Sequence, residues 1–381
     1  MGNAIRLGRI AGIPVQIDFS FLVALPLLAY LFAQQFVAAA RLVGMPQERI
    51  GGDRYLWGLA VALVLFASVL LHELAHSLYA RRTGSRVSSI TLLMIGGVSQ
   101  IEDLPRRPRD EALMAFVGPL TSLVIAAILY AAFLVVPRGA GLWEVRFGLA
   151  FTSYLNLTLG LFNLLPAFPM DGGRVLRALL VARLGFLRAT RTASLVGKAF
   201  ALIFLALGIV TGNLLLMLVA WFVYAGAQHE MAQVEAKEVL GSMSVADLLQ
   251  QDGPAIDARA TLADAAEQLL RARRLALPVL VDGSFAGMLS ADDIERAGPA
   301  LRAGSLSADL VRRVRPPHPD APAWEALQAM LQAGVPEIAV VSPEGALLGT
   351  IARADIERAL RLAELQLSAT EGRSSLRKRM A

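Results

Sequence analysis

Cysteine is absent from the 381-residue chain, and histidine occurs only four times. Without thiols there is no disulfide framework and no thiolate metal site, so any metal must be held by His, Asp or Glu. Charge is scarce as well. Charged residues make up 18% of the chain against 56% hydrophobic, and the mean hydropathy is +0.56. A water-soluble protein of this length carries more charge. The scarcity is uneven: apolar residues dominate as far as Tyr224 and then give way to a mixed composition. That shift implies a membrane domain, 1–238, followed by a soluble one. The net charge of +5 comes from arginine. No basic, aromatic-interleaved patch is present, which argues against a nucleic-acid partner. A secretory signal peptide is not expected, because the first apolar run begins late, near Phe19, and no small-residue cleavage site follows it cleanly.

Two of the four histidines stand at a telling spacing. His72-Glu73-Leu74-Ala75-His76 follows an uncharged run from Leu56 to Leu71. On a helix, residues four apart share one face, so His72 and His76 can share one Zn²⁺. Glu73 lies about 100° round the helix, within reach of a metal-bound water without being a ligand. Zinc lowers the pKa of such a water and polarises a carbonyl, while the carboxylate carries the proton. Each ionisable residue at membrane depth costs about 2.5–3.5 kcal/mol on insertion scales and persists where it is paired or coordinated. The pattern points to a catalytic zinc helix inside a membrane.

The apolar pattern predicts six spanning helices, near 19–36, 55–80, 112–136, 147–165, 199–209 and 214–224. Arg177, Arg183, Arg188 and Arg191 are expected in the loop before the fifth span. Arg-rich segments at the N-terminus and after spans two and four alternate with Arg-poor ones. Both termini and the soluble domain are therefore expected in the cytoplasm. Between spans two and three, residues 86–101 are rich in β-branched residues, with Gly96-Gly97 as the expected turn and Val98-Ser99-Gln100-Ile101 as the returning strand. A small re-entrant β element beside the site would offer an edge, at Gly96, Gly97 and Val98, for a substrate peptide. After span four, Pro166 and Pro169 stop the helix and Asp171-Gly172-Gly173 follows. A plain turn explains Asp171 in isolation. Beside a two-histidine motif short of a ligand, Asp171 is the expected third one.

Residues 239–296 and 305–362 read as two copies of one α/β unit. Each has a helical stretch, a buried-type strand, and a strand-to-helix passage: Gly287 to Asp293-Ile294, and Gly349 to Asp355-Ile356. Residues 363–381 form a basic tail expected to be disordered.

These motifs carry a resemblance. His72-Glu73-x-x-His76, Gly96-Gly97-Val98 and Asn163-x-x-Pro166-x-x-Pro169-x-Asp171-Gly172-Gly173 resemble the site-2 protease family of intramembrane zinc metalloproteases. The resemblance implies that His72, His76 and Asp171 bind zinc, that Glu73 is the catalytic base and that Asn163 helps to hold the substrate. It implies regulated cleavage of a transmembrane segment of a membrane-protein substrate within the lipid bilayer. The family's glycine-proline motif often continues to Asn, where Gly118-Pro119-Leu120-Thr121-Ser122 has Ser. The C-terminal third resembles a tandem pair of cystathionine-β-synthase-type (CBS) domains. That implies an adenine nucleotide (AMP, ADP or ATP) as regulator, with Ser290, Asp293 and Asp355 at the ribose. Repeat two has Ala352 where the hydroxyl residue would stand. The bland alternative for the pair is a homodimer contact. A CBS-regulated transporter or channel would instead use the His/Glu/Asp cluster as an ion site, and a scaffold would keep the metal for structure. The transporter requires charges on several facing helices, whereas the intramembrane carboxylates here are confined to Glu73 and Asp171.

Overall fold

The computed structural model describes residues 5–46, 48, 50–94, 96–101, 107–138, 142–251, 253–297, 310–363 and 365. The chain divides into two compact units, Met1–Ala232 and Gln233–Ala381.

The first unit opens with β1 (Ile5–Ile10) and β2 (Ile13–Ile17), then α1 (Phe19–Gln34), α2 (Phe36–Leu42) and α3 (Arg54–Arg82). It continues with β3 (Val87–Leu93), β4 (Gly96–Ile101), α4 (Pro108–Val135), α5 (Trp143–Asn163), α6 (Asp171–Leu184), α7 (Phe186–Thr211) and α8 (Leu214–Gly241). Asp53 caps α3 by accepting from the Tyr55 and Leu56 amides. Arg81 and Arg82 close its last turn, where positive charge suits the helix dipole. Gly58 lets α3 cross α1 closely: a Cβ there would lie 2.0 Å from the Ala29 carbonyl oxygen. Asn156 Nδ2 of α5 donates to Ser68 Oγ of α3 at 2.9 Å, a polar tie inside the bundle.

Among the described residues, three helices are long and apolar enough to cross a membrane: α3, α4 and α7. The pair α1 and α2, bent by 64°, makes up to four. Ile128, Leu134, Leu202, Ile209 and Trp221 expose large apolar surfaces on these helices and α8. Such surfaces belong in lipid, and the unit is that of an integral membrane protein.

The first expected span is not straight but breaks at Gln35. The expected arginine loop is also absent. Arg177 and Arg183 lie in α6, and Arg188 and Arg191 in α7, which begins at Phe186 rather than near Ala199. Gly185, at φ +77°, is the whole joint between them. Arginine density suggested exposure, yet Arg177 is buried by pairing. Its guanidinium donates to Glu111 of α4 and, at 3.0 Å, to Glu230 of α8, and it stacks over Phe168 and Phe186, so the carboxylates within the bundle are not confined to Glu73 and Asp171 as the sequence implied.

The β elements form one sheet of order β1-β2-β3-β4, with β2 parallel to β3 and the other pairs antiparallel. The pairing of β2 with β3 is non-local and left no trace in the local pattern. Gly96 and Gly97 begin β4 instead of forming the turn, and the described turn residue between β3 and β4 is Met94. β4 is thus an edge strand, and it packs on α3.

In the second unit, β5 (Ile256–Asp257), α9 (Leu262–Ala272), β6 (Ala276–Val281), β7 (Ser284–Ser290) and α10 (Ala291–Ala297) make the first repeat. The second has α11 (Ala323–Ala333), β8 (Glu337–Val341), β9 (Leu347–Ala352) and α12 (353–363). Thr261 and Asp264 form a capping box on α9. The segment before each repeat pairs with a strand of the other: Gln250 bridges Thr350, and Arg312 bridges Met288. The basic tail lies almost wholly outside the described residues.

The Arg177–Glu111 pair sits in a place where an unpaired charge has no water. Glu111→Ala is expected to destabilise the first unit by about 3–5 kcal/mol. A lower unfolding temperature of the detergent-purified protein checks this; an unchanged one would show the pair to be dispensable.

Candidate active site

α3 carries His72 and His76 one turn apart, with ring centroids 4.9 Å apart. α6 brings Asp171 to them from its first turn. Asp171 Oδ2 lies 3.1 Å from His72 Nε2 and 3.2 Å from His76 Nε2. Ligand atoms of a tetrahedral zinc site at about 2.0–2.1 Å from the ion stand about 3.3 Å apart, so the donor set and its spacing fit zinc. The three groups form the one metal-capable cluster of this kind found among the described residues.

The outer nitrogens are held as such a site requires. His76 Nδ1 donates to the Met114 carbonyl oxygen at 2.6 Å, which turns the Nε2 lone pair inward. His72 Nδ1 lies 3.0 Å from Ser122 Oγ. Both partners come from α4, and Ser122 thereby gains a role that the sequence left open. Space is kept by Gly118 of the same helix: a Cβ there would lie 2.1 Å from His76 Nε2 and 2.7 Å from His72 Nε2. The loop that delivers Asp171 depends on glycine too. Cβ atoms at Gly172 and Gly173 would meet the Leu165 carbonyl oxygen at 2.2 Å and the Ala167 carbonyl carbon at 2.6 Å. Only glycine lets residues 165–168 fold back on the start of α6.

Glu73 lies outside the cluster. Its Oε2 accepts from Ser99 Oγ of β4 at 2.7 Å. Gly97 touches the same side chain, since a Cβ there would lie 2.5 Å from Glu73 Cγ. A cavity of about 460 Å³ joins these groups and is lined by His72, Glu73, His76 and Asp171 together with Gly96, Gly97, Val98, Asn163 and Arg174. Asn163, at the end of α5, donates to the Leu159 carbonyl oxygen within its own helix. Every residue singled out from the sequence for this site therefore borders one cavity. Ser99, Ser77, Met114 and Arg174 were not singled out, because a serine in a strand or a carbonyl in a helix carries no sequence signal of its own.

The sequence matches the profile described as "Peptidase family M50" over 60–139 and 139–207, and that of the CBS domain over 245–299 and 312–362. A zinc metalloprotease of Methanocaldococcus jannaschii is 31% identical over 367 residues, 96% of this chain and 98% of that protein. The chain belongs to peptidase family M50. Rip3 of Mycobacterium tuberculosis is 32% identical over 372 residues, 94% of this chain and 93% of Rip3. A solved site-2 protease from Methanocaldococcus jannaschii matches at 35% identity and a TM-score of 0.44, covering 60% of this chain and 95% of that one. This M50 protein is a zinc metalloprotease with a C-terminal CBS pair.

In the CBS unit, Ser290 and Asp293 are buried and bonded to each other. Arg312 clamps Asp293, with Nη2 2.7 Å from Oδ1 and Nε 2.9 Å from Oδ2. Burial alone would raise the Asp293 pKa, but the bonds from Arg312 and Ser290 hold it below the usual value. Asp355 accepts from the Ala352 amide at 2.9 Å and from Gln250 Nε2. The two carboxylates thus occupy equivalent places under different caps.

Gly118→Ala is expected to abolish metal uptake at the His72–His76–Asp171 cluster while the helices still form, because the added methyl occupies the space between the imidazoles. Metal analysis and circular dichroism of the purified variant check this. Full metal content would mean that α4 can retreat.

Proposed function

We propose that this M50 protein is an intramembrane zinc endopeptidase that cleaves a transmembrane segment of another membrane protein. The observation that carries the reading is the meeting of His72, His76 and Asp171 with Glu73 in one cavity bordered by an edge strand. His72, His76 and Asp171 hold the ion, and Glu73 is the base. Zinc, when bound, polarises the scissile carbonyl and acidifies a water. Glu73 takes a proton from the attacking water and returns it to the leaving amine. A substrate helix hides its peptide bonds in its own hydrogen bonds, so it must unwind locally. The edge of β4, at Gly96, Gly97 and Val98, receives the extended segment through main-chain bonds. Asn163, which lines the same cavity, helps to hold it.

The six long helices α1, α3, α4, α5, α7 and α8 cross the bilayer, α1 with α2 as a bent span. Both termini and the CBS pair face the cytoplasm, and the β element is re-entrant. An adenine nucleotide binds the pair at Ser290, Asp293 and Asp355 and changes the cleavage rate. It can do so only by binding two arrangements of the protein unequally. Its ribose hydroxyls compete with Arg312 for Asp293.

Glu73→Gln is expected to abolish cleavage of a tagged single-span reporter while zinc stays bound. Asp171→Ala is expected to lower zinc content, and Asp110→Ala to leave it unchanged. An empty Glu73→Gln variant, or a fully loaded Asp171→Ala, would reassign the roles. For the pair, Arg312→Ala is expected to tighten binding of AMP or ATP to the full-length protein, and Asp293→Ala to weaken it. Calorimetry reads both. No binding at millimolar nucleotide, with unchanged proteolysis, would leave the pair a dimerising role.

A further inference from the structure

Ser99 has no part in the chemistry above, yet it is bonded to the centre of it. On β4 it pairs with Ile90 of β3, and it shares a strand face with Gly97 two residues earlier. Ser99 Oγ lies 2.7 Å from Glu73 Oε2 and 3.2 Å from the Glu73 carbonyl oxygen. A hydroxyl has one proton to give and lone pairs to receive others. The shorter contact, to the carboxylate, takes the proton. Ser77 Oγ, 3.0 Å away, donates into Ser99 in turn. Ser77 is fully buried on α3 beside His76. The bonds therefore run in one direction, from Ser77 through Ser99 to Glu73. Gly97 runs close beside the stem of the same side chain, leaving no room for a Cβ. One strand fixes both the stem and one oxygen of Glu73.

We propose that Ser99 is a positioning residue: it holds the Glu73 carboxylate in one rotamer and ties that rotamer to β4. An unheld glutamate samples several rotamers, and only those facing the cavity can exchange a proton there. With Oε2 engaged, proton transfer falls to Oε1. Because β4 is the edge on which the substrate segment docks, a segment that shifts β4 also shifts the base. Correct docking and a correctly aimed base become one event. The inference rests on the assignment of Glu73 as base and β4 as docking edge.

Ser99→Thr and Ser99→Val separate the hydroxyl from packing, since both side chains suit a strand and have nearly the same shape. Three quantities are read on the full-length, detergent-purified protein: zinc content, affinity for a peptidyl hydroxamate, and kcat and KM on the tagged single-span reporter. A hydroxamate bound to zinc presents donors to the base carboxylate, so its affinity reports the position of Glu73 without turnover. Ser99→Thr is expected to match the parent. Ser99→Val is expected to keep zinc and KM, to bind the hydroxamate more weakly, and to lose about 10- to 100-fold in kcat, the range for one hydrogen bond to a charged group. If Ser99→Val equals Ser99→Thr in hydroxamate affinity and kcat, or if its loss lies in KM alone, Ser99 does not position the base. Turnover by Glu73→Gln would instead remove the assignment beneath it, so the two failures are distinguishable.

Discussion

An ionisable side chain inside an apolar bundle needs polar partners, and that requirement organises the first unit. Water is not there to solvate it, and an isolated charge at such depth costs several kcal/mol. Arg146 meets the requirement with the Phe133 and Val136 carbonyl oxygens and the Phe133 ring, and two further places answer it too. At one, Arg177 is enclosed by Glu111, Glu230 and two aromatic faces. At the other, His72 and His76 have their outer nitrogens held by Ser122 and the Met114 carbonyl. Their inner nitrogens both face one oxygen of Asp171. The Arg177 site is satisfied by protein alone and is structural. The histidine site gathers donors of metal-ligand type around a small space, and that difference separates a brace from a centre that takes an ion.

Close approach is the second requirement, and glycine supplies it where a side chain would fill the site. Gly118 sits against both imidazoles, Gly97 against Glu73, and Gly172 and Gly173 against the loop after α5. Gly118 thereby brings α4, and Gly97 brings β4, against α3, while Gly172 and Gly173 shape the loop that delivers Asp171. The same residues explain why the first unit was only partly legible in the sequence. The motif on α3 could be read because a helix fixes its own spacing. Asp171 could be placed because two prolines and two glycines announce a reversal. The partners of α3 could not be read, since Ser122, Met114 and Ser99 matter only through contacts made far along the chain.

Where the sequence reading erred, the cause was the same. Arg177 looked like a loop residue because arginine is usually exposed, and nothing local announces that Glu111 and Glu230 will meet it. Residues 13–17 alternate as a strand would, yet their pairing with β3 spans more than seventy residues. In the CBS unit, repetition made the strands and helices readable. The crossing of Gln250 to Thr350 and Arg312 to Met288 was not, because each segment pairs with the other repeat.

That crossing bears on how a nucleotide could act. The cap on each of the two carboxylates comes from the segment leading into the other repeat: Arg312 on Asp293, Gln250 on Asp355. A ligand that takes either carboxylate must first displace a residue anchored in the opposite half of the unit. Arg312 is also bonded to the Ala333 and Gly334 carbonyl oxygens at the end of α11. Its release would therefore free the C-terminus of α11 as well as the carboxylate. An exchange of this kind gives the ligand unequal affinity for two arrangements, which is the condition any regulatory effect must meet. The asymmetry of the caps matters too. A guanidinium held by two oxygens resists displacement more than a neutral amide does. Repeat one thus holds its carboxylate by a direct ion pair, and repeat two, with Ala352 in place of a hydroxyl residue, holds its own by an amide that Arg274 anchors at 2.8 Å.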